Sequence, residues 1–373
     1  MEPHSHTPPR LPLELLLMIC NEAADSLETL ARLCRTWRAF LAPSQRLMYC
    51  DVDLEAKSLK ETRSWALAVS RHTHLAERVQ SLSLRLPDVQ QLSPTDSAKI
   101  GHALLACVNL KKLDFLRATT GVVDWRTSNL DFVLHMCDFQ LRSFTTSYFS
   151  FGSELLRIFL AKQNELRFLA VLPGSWIDPL VLEALPHPRP ALPNLIGFKG
   201  DAFRIPENRS FQRLELFYTN GLPSLHQYAE TLTTLNLISE STKGVFHLSL
   251  SSLAVSRMLP LLRHLGLMSA TQARELRSVD TLLRVAENLP LGRLETIAIV
   301  DRHSKVTTEN VLYEAAKNML ETHSSLRRVA FGANVAKTGE RMCIVARDDD
   351  ATGEVETKMV NDLDFESVSM FWA

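Results

Sequence analysis

Leu232-Thr233-Thr234-Leu235-Asn236-Leu237 is an apolar residue, two variable ones, an apolar residue, one variable and another apolar. The same phrase returns as Val79/Leu82/Leu84, Leu110/Leu113/Phe115, Leu166/Leu169/Val171, Phe211/Leu214/Leu216, Leu262/Leu265/Leu267 and Leu326/Val329/Phe331. Weaker copies stand at Leu141/Phe144, Leu192/Leu195 and Leu294/Ile297/Ile299. Taking the second apolar position as a marker, the intervals along the chain are 31, 31, 25, 26, 19, 21, 30, 32 and 32 residues. In a strand the alternating residues point to opposite faces, so each phrase predicts a strand with its marked residues on one buried face.

Between the phrases lie helical stretches. Residues 97–108 place Ile100, Ala103, Leu104 and Cys107 on one face, and residues 153–162 do the same with Leu155, Leu156, Phe159 and Leu160. Residues 276–289, with Val279, Leu282, Leu283 and Ala286, and 308–322, with Val311, Leu312, Ala315 and Met319, complete the set. A strand alternating with a helix at intervals of 20 to 30 residues resembles the leucine-rich repeat, in which each strand stacks beside the last. That resemblance implies an α/β solenoid over residues 79–340, with parallel strands and helices on one side. The Asn that usually follows the strand in such repeats is missing almost everywhere; Asn334 alone stands in the right place. A doubly wound α/β domain is the competing architecture, because it too alternates strands and helices.

The N-terminal stretch has a different grammar. Pro12 suits the first turn of a helix and Glu14 its positive end. Leu11, Leu15 and Ile19 then share a face, widened by Leu16, Met18 and Ala23. Asp25 with Glu28 reads as a capping box that restarts the helix. Leu27, Leu30, Cys34, Trp37 and Leu41 follow at helical spacing, which places Trp37 in the core, and Pro43 is the expected stop. A module of about 40 residues is too small to bury so many apolar side chains by itself and needs a disulfide, a metal or a partner. It carries no metal-ligand cluster, so a partner surface is expected.

The pattern Leu-Pro-x-Glu-Leu-Leu-x-x-Ile, followed after a gap by Leu-x-x-Leu-Cys-Arg-x-Trp-Arg, resembles the F-box over about 40 of the 373 residues. The matching positions are Leu11, Pro12, Glu14, Leu15, Leu16, Ile19, Leu30, Leu33, Cys34, Arg35, Trp37 and Arg38. The resemblance implies a subunit of a cullin-RING ubiquitin ligase that binds its Skp-type adaptor, and through it the cullin. Leu11, Pro12, Leu15, Leu16, Ile19 and Leu33 would be the adaptor-binding residues, and the repeats would hold a protein substrate. A repeat-based scaffold whose helical N-terminus only caps the repeats is the alternative. The organisation expected is residues 1–10 disordered, 11–50 the F-box-like module, 51–78 a helical connector with Trp65, Leu67, Val69 and Leu75, then the repeats. Residues 341–373 form a terminal cap, a hairpin of strands 341–347 and 354–360.

Composition narrows the function classes. Hydrophobic residues make up 46% and charged ones 22%, with a net charge of −1, so no basic field for nucleic acid is present. Cys20, Cys34, Cys50, Cys107, Cys137 and Cys343 include no C-x-x-C pair and read as reduced thiols of a cytosolic or nuclear protein. No signal-peptide core and no membrane-length apolar run is present. The nucleophile elbow, P-loop, dinucleotide fingerprint and H-E-x-x-H helix are all missing, so neither catalysis nor a cofactor is expected. His72 and His74 lack further ligands at metal spacing, and Asp348-Asp349-Asp350 lacks the EF-hand pattern; a solvated helix end and a hairpin turn are the plainer readings.

The substrate site follows from strand alternation. Outward residues are polar or small at the ends of the repeat region, as with Ser81, Ser83 and Arg85, or Arg328, Ala330 and Gly332. In the middle they turn apolar: Phe168, Leu172, Ile196, Phe198, Phe217 and Ile238, with Met268 beyond. With strands about 4.8 Å apart they form a contiguous patch, expected to bind substrate unless a loop such as 176–193 folds over it.

Overall fold

The computed structural model describes residues 11–87, 92–118, 129–149, 154–172, 192–202, 205, 210–218, 224–239, 259–269, 293–336, 338–347, 355–361, 363 and 365–372. The expected helix at 276–289, the Asp348–Asp350 turn, the first ten residues and nearly all of the 176–193 loop lie outside them. The protein is mixed α/β, with thirteen mostly parallel strands among the described residues. It divides into two compact units, one holding the described residues up to Leu166 with Leu192 and Pro193, the other residues 167–172 and 194–372.

The first unit opens with α1 (Leu13–Glu22), α2 (Leu27–Thr36) and α3 (Arg38–Cys50), which pack round Leu16, Cys20, Leu30 and Phe40. Ser26, not Asp25, caps α2, its hydroxyl accepting from the Thr29 N–H at 3.2 Å. The helix expected to run through Trp37 breaks there, because Trp37 is extended at φ −153° and ends α2. Its ring is more than a third exposed and lies edge-on to Phe40 at 5.7 Å, so it is not in the core. Pro43 sits buried inside α3 and does not stop it.

Strand β1 (Asp51–Leu54) follows at once, where a helical connector was expected. Then come α4 (Leu59–Arg71), α5 (Thr73–Ala76), β2 (Ser81–Leu86), α6 (Pro94–Ala106), β3 (Lys112–Arg117), α7 (Asn129–Met136), β4 (Ser143–Thr146) and α8 (Glu154–Lys162). Ser58 and Glu61 form a full capping box at α4, the device that Asp25 and Glu28 do not make. Strands β1 to β4 are parallel, in sequence order, and Val52, Leu82, Leu113 and Phe144 stand side by side. The crossover helices pack on one another in the same order, α4 on α6, α6 on α7 and α7 on α8.

The second unit holds β5 (Phe168–Val171), β6 (Gly197–Asp201), β7 (Arg213–Tyr218), a 3-10 turn at His226–Tyr228, β8 (Thr234–Ser239), β9 (His264–Ser269) and β10 (Thr296–Val306). After α9 (Glu309–Thr322) come β11 (Arg328–Val335), β12 (Gly339–Arg347) and β13 (Val355–Val360). Strands β5 to β11 are parallel neighbours in sequence order, and β12 and β13 add antiparallel at the end, as the hairpin reading expects. Their rung is Leu169, Phe198, Leu214, Leu235, Leu265, Ile297 and Val329. Phe198 therefore stands where the phrase at Leu192 put Leu195. A period-2 register error exchanges the two faces of a strand.

Candidate functional site

Two places carry the residues that the sequence singles out. The first is the N-terminal helical module. Seventeen large hydrophobic side chains are exposed among the described residues, and nine of them fall between Leu11 and Leu41. Leu11, Leu13, Leu15, Leu17, Met18 and Ile19 lie on or beside α1, with Met18 62% exposed. Of the six residues expected to meet an adaptor, Leu11, Pro12, Leu15 and Ile19 are exposed. Leu16 is not: at 5% exposure it belongs to the module's own core, because it faces α3 one helical step round from Leu15. Leu33 is half-buried against the same core.

The second place is the outward sheet face of the second unit, and there the expected substrate patch is overturned. Phe198 points to the opposite, buried face and is 0% exposed. Ile238 and Met268 do face outward, but they are buried in a second hydrophobic cluster with Ala298, Val300, Met342, Leu363, Phe365 and Val368. Phe217 packs partly buried against that cluster. Ile196 and Leu172 are half-buried, and Phe168 meets Phe371 edge-on at 6.0 Å and the tilted Trp372 ring at 5.5 Å. Among the described residues, what covers the face is the chain's own residue 363 and residues 365–372, running back from β13 across the strands.

This strap is seated at three outward glycines. A Cβ at Gly332 would meet Leu363 at 2.8 Å, one at Gly266 would meet Phe365 at 2.7 Å, and one at Gly197 would meet Phe168 at 2.5 Å and Phe371 at 3.5 Å. At Gly332 and Gly266 a side chain would thus collide with the strap, whereas at Gly197 it would collide with Phe168 and only touch Phe371. Met370 holds φ +54°, the left-handed region that costs a side-chain-bearing residue about 1 kcal/mol or more.

Between the anchors the contact is polar. Lys199, 4% exposed and outward on β6, meets the buried Glu215 carboxylate of β7 at 2.9 Å and also pairs with Glu366 of the strap. Asn236 on β8 donates to Glu215 at 3.0 Å and to the Ser369 carbonyl at 2.8 Å. The Arg213 guanidinium donates to the Phe371 carbonyl at 3.2 Å. Burial by itself would lower the Lys199 ammonium; Glu215 and then Glu366 outweigh it and hold it above its usual range. Sequence reading missed this network, although a Lys, a Glu and an Asn at equivalent outward positions of three consecutive strands were visible to it.

The arrangement holds the strap on the sheet. Among the described residues no group of three His, Cys, Asp or Glu side chains could hold a metal ion, and no helix is long and apolar enough to cross a membrane. His72 and His74 lie with their rings 5.8 Å apart at the exposed α4–α5 junction. Burial pushes the Cys107 and Cys137 thiols up to about 12 and that of Cys343 to about 11, so they are protonated side chains of the core. No family model matches the chain, and no curated protein matches it.

Proposed function

We propose that the chain is the substrate-recognition subunit of a cullin-RING ubiquitin ligase, docking a Skp-type adaptor through an F-box-like module and a protein substrate through a leucine-rich-repeat-like solenoid. It performs no bond chemistry of its own in this reading. The observation that carries it is the concentration of exposed apolar side chains on residues 11–41, against eight spread over the rest of the described chain. Contiguous exposed apolar surface with a polar surround marks a partner site. The repeat reading is supported by aligned apolar rungs on strands that follow one another in sequence order.

The test is a pull-down of the purified full-length chain with purified adaptor, wild type against Leu15→Asp with Ile19→Asp. Covering three such side chains contributes on the order of 5 kcal/mol before entropic costs, so the double variant should lose adaptor and cullin. Both positions are exposed, and its thermal transition should hold. Undiminished capture by a folded double variant would leave the scaffold reading in its place.

A further inference from the structure

With the outward face of the second unit occupied by the strap, a partner of that unit must be met elsewhere. At the strand-entry end of β9 to β11 a groove of about 730 Å³ opens, and its walls carry Arg263, Arg293, Arg327, Arg347, Ser324 and Ser325. Glu295 is the one acidic side chain among its described lining residues, so these carry four arginines against one carboxylate in a chain whose net charge is −1. The fold makes this cluster from residues far apart in sequence. Arg263, Glu295, Arg327 and Arg347 occupy successive rungs: the Glu295 N–H donates to the Arg263 carbonyl, the Arg327 N–H to Glu295 and the Arg347 N–H to Arg327, each at 2.8 Å. At about 4.8 Å per strand, the three arginines span roughly 14 Å.

The guanidiniums of Arg347, Arg293 and Arg263 are each held by a neighbour. Arg347 donates to the Leu320 carbonyl at 2.5 Å, at the C-terminal end of α9, and Arg293 to the Pro260 carbonyl at 3.2 Å. Arg263 pairs with Glu295 at 3.3 Å. A guanidinium has five N–H donors, so the one or two contacts at Arg263, Arg293 and Arg347 orient these groups without using every donor. A planar fork matches carboxylate and phosphate oxygens in pairs, and within the groove Arg263 already meets one carboxylate oxygen of Glu295.

We propose that this groove takes the anionic side chains of a protein partner, a phosphoserine or a run of carboxylates. The inference rests on reading the chain as one that captures a protein through its repeats. A nucleic-acid duplex would need an extended basic track, which the overall charge does not supply.

The experiment measures binding of the full-length chain to four immobilised probes: a degenerate peptide pool centred on phosphoserine, the same pool with serine, a pool with an Asp/Glu run, and a single-stranded oligonucleotide. The phosphoserine or the carboxylate pool should bind at least about ten-fold tighter than the serine pool, the stronger of the two identifying the source of the anion. Arg263→Gln with Arg327→Gln should remove that preference with an unchanged melting temperature. Arg32→Gln with Arg38→Gln, an equal charge loss on α2 and α3, should leave it. Equal binding of the serine pool, equal losses in both double variants, or preferential retention of the oligonucleotide would overturn the proposal. Adaptor capture does not involve these arginines, so the ligase reading and the groove can fail separately.

Discussion

Lys199 is a buried cation held between two carboxylates under the strap. Removing one member of a buried ion pair strands the other without compensation and costs about 3–5 kcal/mol, whereas replacing the whole pair by apolar groups is far milder. Lys199→Met should therefore lower the unfolding free energy by about that amount, and Glu215→Gln added to it should recover a good part; chemical denaturation of the three proteins checks both. The pH dependence has a definite sign. Because the folded ammonium pKa lies above the usual 10.5, its contribution is complete below 10.5 and is lost as pH rises through the folded value. The difference between wild type and Lys199→Met should thus be flat between about pH 8 and 10 and shrink above that window.

Among the elements, the strap and α1 show how far sequence patterns reach. The strands and most helices were legible because apolar residues recur at period 2 or 3.6, a signal that survives whatever the neighbours do. Strand β1 was not, since Asp51-Val52-Asp53-Leu54 is only four residues and directly follows a helix. At β6 the apolar Leu195 imitated the marked position and shifted the register by one face. On α1 the sequence marks an apolar helix but cannot say which side its own core takes, and so Leu16 and Leu15 looked alike. The strap has no period at all: Leu363, Phe365, Val368 and Phe371 are spaced 2, 3 and 3, and the glycines that Leu363, Phe365 and Phe371 meet lie two, four and seven strands back from β13. The outward glycines at 197, 266 and 332 were the readable trace, since glycine in a strand marks close approach of something else. Gly266→Ala should accordingly destabilise by about 1–3 kcal/mol, as overpacking does, by forcing Phe365 and Asn236 aside. Binding of a dye for exposed apolar surface should rise with it; an unchanged melting temperature and no dye binding would mean that the strap is not seated there.

For the whole molecule, the exposed residues of the N-terminal module meet a sequence pI near 6.9. A protein with little net charge and an uncovered apolar surface self-associates. Expressed alone at pH 7, the chain should elute as mixed oligomers in size-exclusion chromatography, and Leu15→Asp with Ile19→Asp or co-expressed adaptor should restore a single species. A monodisperse wild-type monomer would count against an open docking face.

A ladder in which each strand touches only its neighbours can lengthen or shorten over evolution by duplicating or dropping a rung. The strap removes that liberty from the stretch it crosses. From Gly332 on β11 to Gly197 on β6 and Phe168 on β5 there are six strand intervals, about 29 Å, and the nine steps from Leu363 to Trp372 reach at most about 30 Å when extended. One inserted repeat would pull Phe371 off its glycine and one deleted repeat would leave Phe365 over a side chain. The tail therefore acts as a ruler, and descendants of this chain should vary in repeat number outside β5 to β11 and not within it.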